Sequence, residues 1–237
     1  MPNRWDDFAE TRKIQIELGK DLTFSQVFLP YYLNLVKQLH PVSLLEVGCG
    51  TGHLSAALSS HVKTTVAIEP SAGMHAVAKS VLQKNNVQLF RLRAEEYRGQ
   101  NIFDLVISHM CLQLVDNIED FVSSVCTLMG TDSHFVFAIP HPCFYNEYKH
   151  FFQPSEYHYM RALTKTVSFT VTKDPNTQIS GVPYCHRPLS RYFSVLKAYN
   201  LYVVDFDEIF PETEIQSLYG AEWNSPRYCV FHTQRRN

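Results

Sequence analysis

The residues best suited to bind a ligand lie in one short run, Glu46 to Gly52, with the sequence EVGCGTG. Three of the nine glycines of the chain fall within five positions of this run, at Gly48, Gly50 and Gly52. Glycine adopts positive φ angles readily and lets a ligand approach the backbone closely. The run lies between a predicted strand and a predicted helix, whose first N–H groups have no partner within the helix. It therefore predicts a ligand-binding turn.

Two common phosphate-binding motifs do not fit this turn. The P-loop pattern GxxxxGK[ST] is absent from it. The dinucleotide pattern GxGxxG fails because His53 or Ser55 stands where its third glycine would be. Glu46 lies two residues before the first glycine, where its negative charge would repel an anion. The turn therefore predicts a ligand that carries a positive charge.

The run EVGCGTG resembles motif I of class I S-adenosylmethionine-dependent methyltransferases. Glu69 and Pro70 follow the second predicted strand, where that family keeps an acidic residue that holds both ribose hydroxyls. A carboxylate suits this role because it accepts two hydrogen bonds at once. Met74 matches the position that packs on the adenine. The resemblance covers about residues 40 to 140 and implies S-adenosyl-L-methionine as the cofactor.

Two later segments add to this resemblance. Arg93-Ala94-Glu95 is similar to the adenine-edge motif, commonly D-A-E, with Arg93 replacing the acid, so Glu95 or the backbone of Ala94 is the expected contact. Ser108 ends FDLVIS, which resembles the fourth strand beside the methionine part of the cofactor. The predicted cofactor-binding residues are Glu46, Gly48, Cys49, Gly50, Glu69, Pro70, Met74, Ala94, Glu95 and Ser108.

Three histidines are the candidate catalytic residues. Methyl transfer requires an acceptor aligned with the breaking bond, so positioning supplies much of the rate. His109 follows the fourth predicted strand, His141 follows the fifth, and His186 precedes the last predicted helix. Imidazole titrates near neutral pH, which suits a general base or a group that orients the methyl acceptor. Each histidine could instead only line the cleft or bond to the backbone. Arg187 and Arg191 either bind an anionic acceptor or lie on the solvated surface.

Short apolar segments alternate with helical patterns from residue 41 to residue 140. This alternation predicts a doubly wound α/β fold with a mostly parallel sheet covered on both faces. The resemblance implies the seven-stranded Rossmann-like methyltransferase sheet with an antiparallel last strand. Before it, Phe24 to Leu39 has helical spacing, in which Pro30 predicts a break or a kink.

The alternation stops after Pro140, where an aromatic-rich insertion begins. The segments IPHPCF and HRPLS resemble a subgroup of small-molecule methyltransferases in which they flank an inserted cap. The aromatic side chains form either a lid over a planar or apolar acceptor, or a small core or dimer contact. The predicted divisions are 1–40, an N-terminal helical segment over the cofactor site; 41–140, the cofactor-binding core; 141–187, the cap; and 188–237, the helix and strands that complete the sheet.

The composition narrows the kind of partner. The chain has 237 residues, with 21 Lys and Arg against 23 Asp and Glu and a formal net charge of −2. This balance disfavours a nucleic-acid partner. No apolar run reaches the roughly 18 residues of a membrane span, and the first residues do not resemble a secretory signal. The six cysteines are scattered, which indicates cytoplasmic free thiols with neither a disulfide framework nor a metal site.

The sequence thus predicts a cytoplasmic methyltransferase that acts on an oxygen or a nitrogen of a small molecule, with heteroaromatic compounds among the candidates. Two alternatives stay open. One is a tRNA or protein methyltransferase, and the other is a catalytically silent cofactor-binding partner of another protein. The oligomeric state is open as well, with a homodimer as one option.

Overall fold

The computed structural model describes residues 4–99, 101–220 and 222–236, so residues 1–3 of the predicted N-terminal segment and residue 237 of the C-terminal division lie outside the described residues. The helices are α1 (Ala9–Glu17), α2 (Leu29–Leu39), α3 (His53–Leu58), α4 (Ala72–Val81), α5 (Ile118–Thr127), α6 (Tyr145–Lys149), α7 (Leu189–Ala198) and α8 (Thr213–Leu218). The strands are β1 (Ser43–Val47), β2 (Thr64–Ile68), β3 (Val87–Phe90), β4 (Phe103–His109), β5 (Met129–Pro140), β6 (Leu163–Val171), β7 (Asp174–His186), β8 (Leu201–Ile209) and β9 (Tyr228–Arg235). A 3₁₀ turn, Arg4–Phe8, precedes α1.

Seven strands form one sheet in the order β3-β2-β1-β4-β5-β9-β8. The first five strands run parallel, and β9 is antiparallel to both of its neighbours. This arrangement confirms the predicted fold class, including the antiparallel last strand. Strand order reverses between β1 and β4, and ligands of open α/β sheets bind outside the carboxyl ends of the strands at such a point.

The central strands are apolar on both faces because helices cover both sides of the sheet. One face of the sheet carries Leu44 on β1, and the other carries Leu45 on β1 and Val106 on β4. All three side chains are fully buried. A large apolar cluster covers each face. One cluster contains Leu45 and Val106, and the other contains Leu44 and Phe28. The sheet is therefore a rigid base for the loops at its carboxyl edge.

Pro30 does not break the N-terminal helix. The chain is helical from Thr23 to Leu39, with a π-helical turn over Thr23–Phe28 directly before α2. The N–H of Leu29 donates to the carbonyl oxygen of Phe24, five residues back. Pro30 lies in the first turn of α2, where its missing N–H costs little. The expected break is thus replaced by one widened helical turn.

The insertion contains a separate two-stranded sheet, formed by β6 and β7. Its turn packs against the N-terminal segment, because Asp174 accepts hydrogen bonds from Nε2 of Gln15 at 3.1 Å and Nζ of Lys20 at 3.4 Å. The rings of Trp5 and Phe169 also pack together, with centroids 6.3 Å apart. Two segments far apart in sequence therefore meet beyond the carboxyl edge of the main sheet.

No helix among the described residues is long and apolar enough to cross a membrane.

Candidate active site

A cavity of about 1040 Å³ lies at the carboxyl ends of β1, β2 and β4. The sheet edge forms its floor, while the N-terminal segment and the β6–β7 hairpin line the opposite side. Pockets for a single small ligand typically measure about 300–1,000 Å³. The cavity therefore has room for a nucleoside-containing cofactor and a small second ligand together.

The glycine turn forms one end of this cavity. Gly48, Gly50 and Gly52 have φ angles of 76°, 54° and 79°, which other residues rarely adopt. A Cβ atom on Gly50 would meet no atom within 4 Å, so this backbone faces open space in the cavity. A Cβ atom on Gly48 would lie 2.7 Å from Sγ of Cys111, so the turn packs tightly against the loop after β4. The backbone at Gly50 is accessible to a ligand, as the sequence predicted.

Glu69 lies beside this turn with its carboxylate already oriented. Oε2 accepts a hydrogen bond from the N–H of Gly50 at 2.8 Å, and Oε1 accepts one from the N–H of Ser71 at 2.8 Å. A carboxylate has about four acceptor positions, so two remain for other donors. Burial raises the pKa of Glu69, while the two backbone N–H groups oppose that effect. This geometry fits a carboxylate that accepts two ribose hydroxyls.

Glu46 is a second buried acid in the same cavity. Its carboxylate accepts a hydrogen bond from Oγ of Ser55. Burial raises the pKa of Glu46 to about 8, and the nearby charge of Glu69 acts in the same direction. A positively charged ligand would relieve both effects, because it stabilises the ionised carboxylates. The residues present therefore fit S-adenosylmethionine, which carries a sulfonium and an ammonium group.

Replacing Glu46 by Gln is expected to stabilise the ligand-free protein and to weaken S-adenosylmethionine binding. In the wild type the unfolded chain loses the Glu46 proton near its ordinary pKa, whereas the folded protein retains it to about pH 8. Stability therefore falls as the pH rises through this interval, and Glu46→Gln removes that loss. The shift of this pKa from its ordinary value of 4.5 to about 8 corresponds to about 5 kcal/mol, so we expect a gain of up to about 5 kcal/mol above pH 8 and little change below pH 4.

Thermal unfolding across this pH range measures the stability, and titration calorimetry measures the affinity. Wild-type affinity should increase as the pH rises towards 8, because the cation favours ionised Glu46, and this increase should be absent in Glu46→Gln. A matched variant, Glu10→Gln at an exposed position of α1, should show neither effect. Equal pH profiles for wild type and Glu46→Gln would contradict the assignment.

Most of the other predicted cofactor residues line the cavity as well: Cys49, Pro70, Met74, Ala94 and Glu95. Ser108 does not, because it is fully buried and its Oγ donates to the carbonyl oxygen of Val47 at 3.0 Å. The prediction for Ser108 is therefore corrected to a bond between neighbouring strands.

Asp6, which no sequence motif singles out, attaches the N-terminal turn to the start of α4. Its Oδ1 accepts hydrogen bonds from Oγ of Ser71 at 2.5 Å and from the N–H of Gly73 at 3.0 Å. These bonds attach the N-terminal turn to the start of α4, next to Met74. Nothing in the local pattern around Asp6 indicates this contact, because its partners lie more than 60 residues away.

His109 is the one predicted catalytic histidine that lines the cavity. The rings of Phe24, Phe28 and Tyr32 surround it, with the Phe28 centroid at 4.6 Å. Burial lowers the pKa of His109 to about 4, so the imidazole is neutral at neutral pH. Its Nδ1 is buried and has no hydrogen-bond partner among the residues that the structure describes. This nitrogen therefore has a hydrogen-bonding capacity that the described part of the chain does not use.

His141 and His186 do not line the cavity, which corrects the prediction for both. Nε2 of His141 bonds to Glu208 on β8 at 2.9 Å, and its Nδ1 accepts from the N–H of Cys143 at 3.2 Å. His186 bonds through Nε2 to the carbonyl oxygen of Tyr159 at 2.8 Å, inside the insertion. Both are structural, because polar partners hold their rings away from the ligand space.

The two candidate arginines also have structural partners. Arg187 is buried and donates to the carbonyl oxygens of Leu112, Val115 and Asp116, so it holds the loop after β4 in place. Arg191 pairs with Glu119 at the surface. Neither lines the cavity, so neither is positioned to bind an anionic ligand there.

The aromatic residues of the insertion divide into two groups. We call the first group the acceptor chamber: it lines the cavity and consists of Tyr145, Tyr148, Phe151, Phe169 and Tyr184. The second group packs around His186 and consists of Phe152, Tyr157 and Tyr159. The insertion therefore has its own small core and also forms a wall of the cavity.

A family model described as a methyltransferase domain matches residues 24–172, more than half of the chain. A malonyl-[acyl-carrier protein] O-methyltransferase of Priestia megaterium is 24% identical over 127 residues, which cover 53% of this chain and 45% of that protein. The chain thus matches less than half the length of this curated relative.

Solved structures extend the similarity of fold to most of the chain. An S-adenosylmethionine-dependent methyltransferase from Mesorhizobium loti has a TM-score of 0.69 at 17% identity, covering 87% of this chain and 96% of that one. A 1,6-didemethyltoxoflavin-N1-methyltransferase from Burkholderia thailandensis has a TM-score of 0.58 at 13% identity, covering 97% and 88%. With the matching family model and the carboxylate and glycine geometry above, the chain belongs to the methyltransferase-domain family, as a class I S-adenosylmethionine-dependent methyltransferase.

Proposed function

We propose that this protein transfers a methyl group from S-adenosylmethionine to a nitrogen or an oxygen of a small planar molecule. The observation that carries the proposal is the single cavity that contains both the glycine turn with Glu69 and the acceptor chamber. The cofactor would supply an electrophilic methyl group on its sulfonium. A planar acceptor between the aromatic rings would lie within the same enclosed space.

The residues of the chain then have separate roles. Glu69 holds the ribose hydroxyls, Gly50 allows close approach, and Met74 packs on the adenine, while Ala94 and Glu95 face its edge. Glu46 stabilises the positive charge of the cofactor. His109 contacts and orients the methyl acceptor. Residues 141–187 act as a cap that excludes water from the cavity.

A related fold supports a heteroaromatic acceptor. The Burkholderia enzyme is described with 1,6-didemethyltoxoflavin and S-adenosylhomocysteine bound, and its fold covers nearly the whole of this chain. The aromatic lining of the cavity favours such a planar molecule over RNA or protein. The near-neutral net charge agrees with this preference. A cytoplasmic location stays a prediction.

The test uses the purified full chain. Titration calorimetry with S-adenosylmethionine and S-adenosylhomocysteine measures cofactor binding, and methyl-labelled S-adenosylmethionine is then supplied with a metabolite extract, bulk tRNA or total protein. We expect binding of both nucleosides and label in the metabolite fraction. Label in tRNA or protein would favour those substrates, and binding without transfer to any fraction would favour a catalytically silent partner protein.

Replacing His109 by Phe is expected to lower turnover about 3–10-fold, because one hydrogen bond to the methyl acceptor is lost while the aromatic packing is kept. Affinity for S-adenosylhomocysteine should change little. His186→Phe, outside the cavity, is the matched control and should leave the turnover of folded protein unchanged. Label transfer to the metabolite fraction and calorimetry provide the two measurements. Equal losses of turnover and cofactor affinity in His109→Phe would contradict a role towards the methyl acceptor.

A further inference from the structure

Gln113 lines the cavity, and its buried amide oxygen has no hydrogen-bond partner among the described residues. Gln113 lies in the 3₁₀ turn Leu112–Leu114 after β4, is 7% exposed, and lines the cavity. Its Nε2 donates to the carbonyl oxygen of Met110 at 2.7 Å. Because a carbonyl oxygen only accepts hydrogen bonds, this contact fixes the orientation of the amide. Oε1 is therefore the atom left without a partner, and it requires a donor.

His109 provides a second unpartnered atom at the start of the same loop. Its Nδ1 is buried and its ring is neutral, so the imidazole has one N–H donor and one lone pair. Buried polar atoms in native proteins nearly always have a partner. Both residues line the same cavity, so a ligand bound there is placed to supply the two partners.

The buried charges nearby do not favour an anionic ligand. Arg12, which lines the cavity, donates to Oδ2 of Asp21 at 2.5 Å and to Oε1 of Gln15 at 2.8 Å. The carboxylate of Asp21 also accepts from the N–H of Phe24 at 3.0 Å. The arginine is thus neutralised by its own partner, and the remaining wall around His109 is largely aromatic.

We propose that the methyl acceptor is a neutral nitrogen heteroaromatic compound that donates an N–H to Oε1 of Gln113 and lies within the acceptor chamber. This inference rests on the proposed function and specifies its substrate class. Gln113 would be the residue that selects compounds with an N–H donor on the ring edge next to Oε1. A methyl acceptor without that N–H would leave the buried oxygen without a hydrogen bond.

The state of His109 favours nitrogen over oxygen as the methylated atom. A neutral phenol must lose its proton to react, and an imidazole with a pKa of about 4 is a weak base for that step. An unprotonated ring nitrogen has a lone pair available without a base. This lone pair forms the new N–CH₃ bond and displaces the thioether sulfur, which keeps the electron pair of the broken S–CH₃ bond. The N–H proton of the resulting ring cation then leaves to water.

Three probes of similar size test this substrate class with the full chain and saturating S-adenosylhomocysteine. Benzimidazole has an N–H and a free ring nitrogen, 1-methylbenzimidazole lacks the N–H, and 2-naphthol replaces the nitrogen edge with a hydroxyl. Titration calorimetry measures binding at mildly alkaline pH. A parallel incubation of benzimidazole with S-adenosylmethionine, read by mass spectrometry, measures formation of 1-methylbenzimidazole.

We expect the wild type to bind benzimidazole about 3–10-fold more tightly than 1-methylbenzimidazole, the effect of one hydrogen bond. Gln113→Leu should remove this difference. The matched control is Gln216→Leu, outside the cavity, because the Gln216 amide already donates to Pro211 at 2.7 Å and accepts from Trp223 at 2.8 Å. Gln216→Leu should keep the preference for benzimidazole.

Equal binding of the two benzimidazoles, a preference for 2-naphthol, or no binding of any probe to the S-adenosylhomocysteine complex would overturn the substrate class. A preference that persists in Gln113→Leu would overturn the role of Gln113. The wild-type comparison decides the substrate class even if both variants fail to fold. Failure of S-adenosylhomocysteine to bind the wild type would instead contradict the proposed function itself.

Discussion

Glu69→Ala is expected to weaken the binding of S-adenosylmethionine and S-adenosylhomocysteine about 10–100-fold. The substitution removes the acceptor for the ribose hydroxyls. It also leaves the N–H groups of Gly50 and Ser71 without the partners that now hold them at 2.8 Å. The turn is then less well ordered before the ligand arrives, so binding must also order the backbone. Titration calorimetry measures the affinity of both nucleosides.

Two further variants separate these contributions. Glu69→Gln keeps the shape of the side chain, but its amide nitrogen must face the N–H of either Gly50 or Ser71. We therefore expect an affinity for both nucleosides between those of wild type and Glu69→Ala. Glu10→Ala, on the exposed face of α1, is the control and should leave the affinity unchanged. Unchanged affinity in Glu69→Ala would remove this residue from the ribose site.

Gly73→Ala is expected to detach the N-terminal turn from α4. A Cβ atom on Gly73 would lie 2.5 Å from the carbonyl oxygen and 2.7 Å from Cα of Asp6, distances that require the backbone to move. Movement would break the two hydrogen bonds that Asp6 accepts from Ser71 and Gly73. Trp5 of the same turn lines the cavity and packs on Phe169. Movement of the turn would therefore separate Trp5 from Phe169 and open this side of the cavity.

We expect faster tryptic cleavage in the N-terminal segment of Gly73→Ala. We also expect about 3–30-fold weaker binding of S-adenosylhomocysteine, since this loss of affinity corresponds to one or two hydrogen bonds. Asp6→Ala should act in the same direction without the steric overlap. Ser80→Ala, at an exposed position of α4, is the control for the substitution in this helix and should leave both measurements unchanged. Wild-type cleavage rates in Gly73→Ala would show that the turn tolerates the side chain.

Much of the fold was predictable because its signals are local. The segments that form β1, β2, β4 and the core of β5 are short and continuously apolar. This pattern is typical of strands that are buried on both faces of a parallel sheet. Of the break or kink expected at Pro30, the structure shows no break, and a π-helical turn with its five-residue hydrogen bond lies directly before the proline. Propensity identifies a helix-breaking residue, but only the backbone geometry determines how the chain accommodates it.

The candidate site divides in the same way between local and long-range information. The glycine turn and Glu69 directly follow two adjacent strands, so the ends of those strands mark both positions in the sequence. The sequence did not distinguish the three histidines as catalytic candidates, since each lies at the end of a predicted strand or before a predicted helix. Side-chain direction separated them: His109 faces the cavity, whereas the rings of His141 and His186 are held elsewhere by Glu208 and Tyr159.

By itself, then, the amino-acid sequence determined the fold class and the cofactor-binding end of the cavity. Only the tertiary structure showed how the other end is assembled, because its walls come from three distant parts of the chain. Trp5 packs on Phe169, Arg12 pairs with Asp21 beside His109, and the amide oxygen of Gln113 has no partner in the described part of the chain. Sequence spacing records contacts within a turn, a strand or a helix. Contacts between elements depend on how those elements pack, and the choice of methyl acceptor depends on those contacts.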